Sequence, residues 1–283
     1  MKKIIALVLA LLMISSLMAL VSCNKEESGD LTEGGYVAPS YKKDIGTGVI
    51  TYADGVGETA IIVKYEPKIH TPHEVVIPNK VGDTDGTSEG RIVTIIADEA
   101  FKACTAMTSV VIPETVTTIG SAVFYNCDKL TEVKIPAAVK TIGELAFAKC
   151  VSLTKVEFTG TSALTTIGKN AFDGCVELTT IELPAKLTKI ESGAFRNCVK
   201  LSKVEIPESV KTIGSQAYVG CEALNYDGCI VLTDKIENLG GFDPKAKDQP
   251  VVVIFTTNKE YIKAPAGSYA EQFVNAMRET TEN

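Results

Sequence analysis

Along the middle of the chain, apolar and polar positions recur in a fixed phrase. A short V-x-I-P piece comes first, followed by a lone aliphatic residue, an Ile-Gly pair, A-F-x-x-C and a closing leucine. The strand-like pieces are Val75-Val76-Ile77-Pro78, Val110-Val111-Ile112-Pro113, Val133-Lys134-Ile135-Pro136, Val156-Glu157-Phe158-Thr159, Ile181-Glu182-Leu183-Pro184 and Val204-Glu205-Ile206-Pro207. Phe101, Phe124, Phe147, Phe172, Phe195 and Tyr218 follow one another at intervals of 23, 23, 25, 23 and 23 residues, each with a cysteine three positions later. The two extra residues fit between Thr159 and Leu164, where the proline is missing, and the first unit carries a 12-residue insertion between Pro78 and Val93.

One such unit cannot stand alone. Burying its six large apolar side chains gives about 2 kcal/mol each, while ordering its 23 residues costs roughly 1–2 kcal/mol apiece. Stacking supplies the missing burial. Each V-x-I piece pairs with the next unit's in a parallel ladder, and phenylalanine, cysteine and leucine fill the interior. Proline has no donor to continue the pairing, so it ends the strand. The pattern predicts a leucine-rich-repeat solenoid of α/β class, mainly β, with a parallel β-ladder from six repeats of about 23 residues.

The end units need covers. Ile50-Thr51-Tyr52 and Ala60-Ile61-Ile62-Val63 flank Asp54-Gly55-Val56-Gly57 and predict a hairpin, an N-terminal β cap. Toward the other end Val251–Phe255 reads as a strand. Ser268-Tyr269-Ala270-Glu271 has capping-box spacing, and Tyr269, Phe273 and Met277 share one helix face, giving a C-terminal β/helix cap. The expected organisation is a signal peptide over 1–22, a flexible tether over 23–35, a capping β segment over 36–74, repeats over 75–226 and a C-terminal cap over 227–283.

Composition narrows the chemistry. The formal charge is -7 without a basic run, so nucleic acid is not an expected partner. With only His70 and His73 and no tryptophan, histidine-based catalysis is starved and the best sugar-stacking side chain is missing. An enzyme is not expected, nor a cofactor. His70-Thr71-Pro72-His73 lacks a third metal ligand, and Asp83-Thr84-Asp85-Gly86 with Glu89 lacks the full calcium-loop pattern.

Cys104, Cys127, Cys150, Cys175, Cys198 and Cys221 hold one equivalent place per unit. Their side chains should all point inward as buried thiols, not toward one another as disulfides. Cys229 lies outside the repeat and could pair with Cys221.

The N-terminus carries Lys2 and Lys3 and then an apolar run from Ile4 to Leu20 broken only by Ser15 and Ser16. Leu20-Val21-Ser22-Cys23 looks like a bacterial lipoprotein box, which implies lipid on Cys23 and a membrane anchor. Lys25-Glu26-Glu27 resembles a surface-export signal of lipoproteins in some Gram-negative bacteria, which implies an outer-membrane lipoprotein exposed on the cell surface.

The repeats themselves, with I-G-x-x-A-F-x-x-C-x-x-L recurring in register over residues 75–226, resemble the BspA-like leucine-rich repeats of bacterial surface and secreted proteins. The departures are Ala97 for glycine, Ile190-Glu191 for the Ile-Gly pair, Val123 for alanine, Thr159 for proline and Tyr218 for phenylalanine. The resemblance implies adhesion and protein recognition, including attachment to host or other bacterial cells, and no catalytic residues.

Strand alternation locates the surface that would do this. If Val and Ile of V-x-I face inward, the middle residue and the one before Val face out. The outward candidates are Lys134, Lys155, Glu157, Glu182, Lys203 and Glu205, with the three glutamates in one row. That face is either a solvated, self-neutralised strip or a partner-binding one. The expected function is a lipid-anchored, monomeric surface protein that binds an extracellular or host protein. The rival is a glycan-capture surface lipoprotein of a polysaccharide-uptake system.

Overall fold

The computed structural model describes residues 40–82, 90–224, 230–240 and 262–279. Cys23 and the N-terminal expectations, Asp83–Glu89, Cys229 and the strand expected at Val251–Phe255 lie outside these residues.

An antiparallel meander of β1 (Ser40–Asp44), β2 (Gly48–Asp54) and β3 (Thr59–Pro67) opens the fold. β4 (His73–Val76) follows, and β5 (Lys80–Val81) folds back antiparallel on β6 (Arg91–Ile96) around the insertion. Each later unit then contributes two short strands. They are β7 (Met107–Val111) with β8 (Thr118–Ile119), β9 (Glu132–Ile135) with β10 (Thr141–Ile142), and β11 (Lys155–Phe158) with β12 (Thr166–Ile167). β13 (Thr180–Ile181) with β14 (Lys189–Ile190) and β15 (Val204–Glu205) with β16 (Thr212–Ile213) complete the series. β17 (Ile230–Val231), β18 (Asn238–Leu239), β19 (Ile262–Lys263) and α1 (Tyr269–Glu279) close the described chain.

The expected V-x-I ladder is present as a parallel sheet in the order β13-β11-β9-β7-β4, continued by a Thr180–Lys203 bridge toward β15-β17-β19. It is one of two. Thr-Ile dipeptides, with Lys189-Ile190 and Asn238-Leu239 in the equivalent places, follow β6 in a second parallel ladder, β6-β8-β10-β12-β14-β16-β18, which joins the N-terminal meander through β3. Within the repeat unit the sequence pattern predicts a strand only at V-x-I. A two-residue strand between turns shows no alternation, so pattern could not distinguish it from the turn around it.

The core runs between the ladders. Val133, Val156, Ile181 and Val204 enter from one side and Ile119, Ile142, Ile167 and Ile190 from the other. At its centre the aromatic rings stack with centroids 5.2–5.5 Å apart, from Phe101 through Phe195 to Tyr218. Tyr65 of β3 extends the stack at 5.2 Å from Phe101, so the cap continues the interior instead of merely covering it.

The A-F-x-x-C segment is irregular yet fully bonded between units. Residues two before and two after each phenylalanine take positive φ, among them Leu145 (57°) and Lys149 (60°). This alternation of hand turns every second N–H toward the next unit, while those between bond within their own, as Ala146 and Ala148 do to the carbonyls of Gly143 and Leu145. Leu145, Phe147 and Lys149 donate to the carbonyls of Lys169, Ala171 and Asp173 in the next unit at 2.9, 2.8 and 2.7 Å. At the far end α1 is capped by Ser268, whose Oγ accepts from the Glu271 amide at 3.0 Å. Among its described side chains Ala270, Phe273 and Val274 are buried, and half-buried Tyr269 packs against the core while its hydroxyl accepts from the Leu239 amide at 3.3 Å. The expected face of Tyr269, Phe273 and Met277 is thus widened by Ala270 and Val274, the Met277 side chain lying outside those described.

Candidate functional site: an outward charged column on the repeat ladder

The parallel register sets the neighbours of each outward side chain. Glu132 pairs with Lys155 and Lys134 with Glu157 between β9 and β11, and Lys155 pairs with Thr180 between β11 and β13. Extending that register brings Glu182 beside Glu157 and Glu205 beside Glu182. Lys134, Lys155, Glu182, Lys203 and Glu205 are exposed and Glu157 is half-exposed, while Val133, Val156, Ile181 and Val204 between them are buried. The structure therefore brings all six candidate residues onto one face. Upstream the same column begins with two exposed valines, Val76 and Val111 at 51% and 44%. A partner meets an apolar start, then one lysine, then three glutamates.

Neighbouring strands sit about 4.8 Å apart, so the glutamates would repel unless offset. The offset is local. Lys155 Nζ lies 3.0 Å from Glu157 Oε2 on the same strand, and Lys203 contacts Glu205. The hydrogen bond and charge of Lys155, with a further contribution from Lys134, hold the Glu157 carboxyl below its ordinary value, and Lys203 does the same for Glu205. Glu157 in turn raises Lys155, helped by Glu132 and Glu182. Glu182 forms no ion pair among the described residues. These pairs are solvated, so they contribute little to stability and leave the charges available to a partner.

The six repeat cysteines are free and buried. Each thiol from Cys127 on donates to the phenylalanine carbonyl of the preceding unit, as Cys150 Sγ does to Phe124 at 3.1 Å and Cys198 to Phe172 at 3.2 Å. Burial pushes the Cys150 and Cys221 thiols up to about 12, and Cys175 and Cys198 well above the ordinary range. Such thiols are neither nucleophiles nor metal ligands near neutral pH. His73 is engaged locally, Nδ1 with the Thr71 carbonyl at 2.8 Å and Nε2 with the Tyr65 hydroxyl at 3.4 Å, while His70 is exposed. Among the described residues no cluster of three or more potential metal ligands occurs, and no helix is long and apolar enough to cross a membrane.

Two stacked parallel ladders, one buried aromatic column and a residue-for-residue register define a leucine-rich-repeat solenoid. Residues 94–225 match the BspA type leucine rich repeat region in six copies, and the repeat block of this chain is a member of that family. A leucine-rich repeat protein of T. pallidum shares 28% identity over 71% of this chain and 83% of its own, with a TM-score of 0.54. A leucine rich cell surface protein of Faecalibacterium prausnitzii shares 31% identity over 66% of this chain and 54% of its own, at a TM-score of 0.48. A leucine-rich repeat protein of Eubacterium ventriosum shares 22% identity over 78% of this chain and 49% of its own, at 0.50. The chain thus spans about half the length of the last two. No curated protein matches it.

Proposed function

We propose that this chain is a lipid-anchored bacterial surface protein that binds macromolecular partners through its repeat scaffold, an adhesin for an extracellular or host protein. The observation that carries the reading is the column from Val76 to Glu205, in which the parallel register places an exposed or half-exposed side chain at every ladder step. Such an array suits a broad, charge-guided protein contact better than a small substrate. Binding, not catalysis, is the activity this geometry serves.

The test uses the full chain against an immobilised panel of extracellular-matrix and plasma proteins. A partner found there should bind the Glu157→Gln/Glu182→Gln/Glu205→Gln variant at least several-fold more weakly at low salt, with the difference fading as salt is raised. Equal affinity and equal salt dependence for a folded variant would reduce the column to a solvated face. Anchoring is tested separately. Cys23→Ser should release the protein from membranes or leave an uncleaved precursor, and protease shaving of intact cells should remove the wild-type ectodomain. Normal processing and membrane fractionation of the variant would contradict the anchor, and protection from shaving would place the protein on the periplasmic side.

A further inference from the structure

A second surface feature lies on neither ladder. The irregular A-F-x-x-C segments of five successive units line a depression of about 380 Å3, built from Glu99, Lys102, Ala122, Tyr125, Leu145, Ala148, Lys149, Asp173 and Arg196. Its length covers four steps of the aromatic stack, each 5.2–5.5 Å, so its natural occupant is an extended chain aligned with the solenoid axis.

The charges in it are ordered. Lys102 belongs to the first of these units, Lys149 to the third and Arg196 to the fifth, so a cation recurs at every second step. Glu99 holds Lys102 at 2.7 Å, and Asp173 holds Arg196 through Nε at 3.1 Å and Nη2 at 2.7 Å, leaving the far side of the guanidinium free to donate. Lys149 has no carboxylate in salt-bridge range among the described residues, and sits 5.4 Å from the centre of the Tyr125 ring, with Lys102 at 5.8 Å. Between Tyr125 and Asp173 the column drops to the small side chain of Ala148, so the third unit leaves room beside Lys149.

We propose that this depression binds an extended acidic polysaccharide whose sugars alternate between uronate and neutral residues. A β-linked pyranose chain advances by close to one stack step per sugar, so one carboxylate per disaccharide meets the cations at every second unit. A polypeptide strand advances about 3.3 Å per residue, so its successive residues do not match single steps of the stack. The Tyr125 ring, in the unit between those of Lys102 and Lys149, receives the apolar face of the sugar between two acids. Asp173, in the fourth unit between Lys149 and Arg196, repels an anion placed at that intervening step, which disfavours densely sulfated chains and selects for sparse charge. The site is separate from the outward ladder column, so its failure leaves the protein-binding reading untouched.

The test is titration of the full chain, in detergent, with hyaluronan oligosaccharides, which carry one carboxylate per disaccharide. The wild type should bind them, more weakly as salt rises, and should bind neutral dextran and poly-L-glutamate far less. Lys102→Gln/Lys149→Gln should weaken binding about tenfold or more, and Tyr125→Ala should weaken it at both low and high salt. Lys200→Gln, at a lysine paired with Glu177 outside the depression, should leave it unchanged. If the double variant fails the circular-dichroism check for folding, the single Lys149→Gln substitution carries the same test, because it breaks no ion pair. No binding of hyaluronan by the wild type would overturn the proposal. So would unchanged affinity of the folded lysine variants, or equal binding of poly-L-glutamate, which would indicate a peptide or a bare charge effect.

Discussion

A cysteine serves at the repeated position because it combines a small apolar volume with one weak donor. Alanine would fill less space and leave the neighbouring phenylalanine carbonyl without its thiol partner. Cys150→Ala should therefore lower stability by about 1–2 kcal/mol, read as a shift of the urea midpoint. The raised thiols make a pH prediction. Unfolded cysteines ionise near pH 8.5–9, whereas Cys150 and Cys221 hold their protons up to about 12. The unfolded state then carries fewer protons, so stability is full below pH 8.5 and falls by about 1.4 kcal/mol per pH unit per thiol above it. Thermal midpoints should drop steeply between pH 9 and 11. A Cys150→Ala/Cys221→Ala chain should lose less over that interval, and an equal loss would refute the assignment. Iodoacetamide should label few repeat cysteines in the native protein and all six after denaturation in the absence of reductant. The inward phase of these residues was readable from the sequence, since a side chain repeated every 23 residues must keep one direction. Their bonding partner was not, because the receiving carbonyl lies 26 residues upstream for most of them and 28 for Cys175.

At the scale of the element, the Ile-Gly pair shows why the second ladder can be so short. A Cβ placed on Gly168 would stand 2.6 Å from the carbonyl carbon of Gly143 in the preceding unit, and one on Gly143 would press on the Gly120 backbone. The units approach backbone to backbone here, and glycine lets them do so. Gly168→Ala should cost about 1–3 kcal/mol by chemical denaturation, more than an alanine at an exposed turn glycine such as Gly46, where nothing lies within 4 Å but φ is +83° and the cost is conformational only. The fifth unit carries Glu191 at the equivalent place, paired with Lys189 at 2.6 Å, and nothing in the structure explains how its Cβ is accommodated. The longer V-x-I strands were legible because they alternate. The two-residue strands of the second ladder were hidden by their length and by threonines just before them whose hydroxyls serve the backbone, as Thr188 Oγ1 does in donating to the Thr165 carbonyl at 3.0 Å. On the charged face, Glu157 and Glu205 titrate below their ordinary values, so their pairs persist above about pH 4.5 and are lost as pH falls through the lowered values. Partner binding that depends on the column should change over the same acidic interval.

The whole molecule is a one-dimensional stack whose interior passes from the meander through five phenylalanines to Tyr218. Truncating an internal ring removes contacts on both sides, so Phe147→Ala should cost about 3–5 kcal/mol, whereas Tyr65→Ala should cost less but loosen the first unit preferentially in amide hydrogen exchange. The repeat class, the ladder and its outward residues could be read from the chain before any coordinates, because periodicity encodes direction. The continuation of the aromatic stack into the cap could not, since Tyr65 sits in β3 and belongs to no repeat phrase. The depression around Tyr125 was equally hidden, because its residues converge only when backbone of alternating hand turns five units' side chains to one side. The measurement that reaches the central claim most directly is carbodiimide footprinting of carboxylates with and without a bound protein partner. Partner should suppress labelling of Glu157, Glu182 and Glu205 while leaving Glu144, Glu177 and Glu237 as they are in the free protein. Unchanged labelling of the three column glutamates, with protection elsewhere, would contradict it.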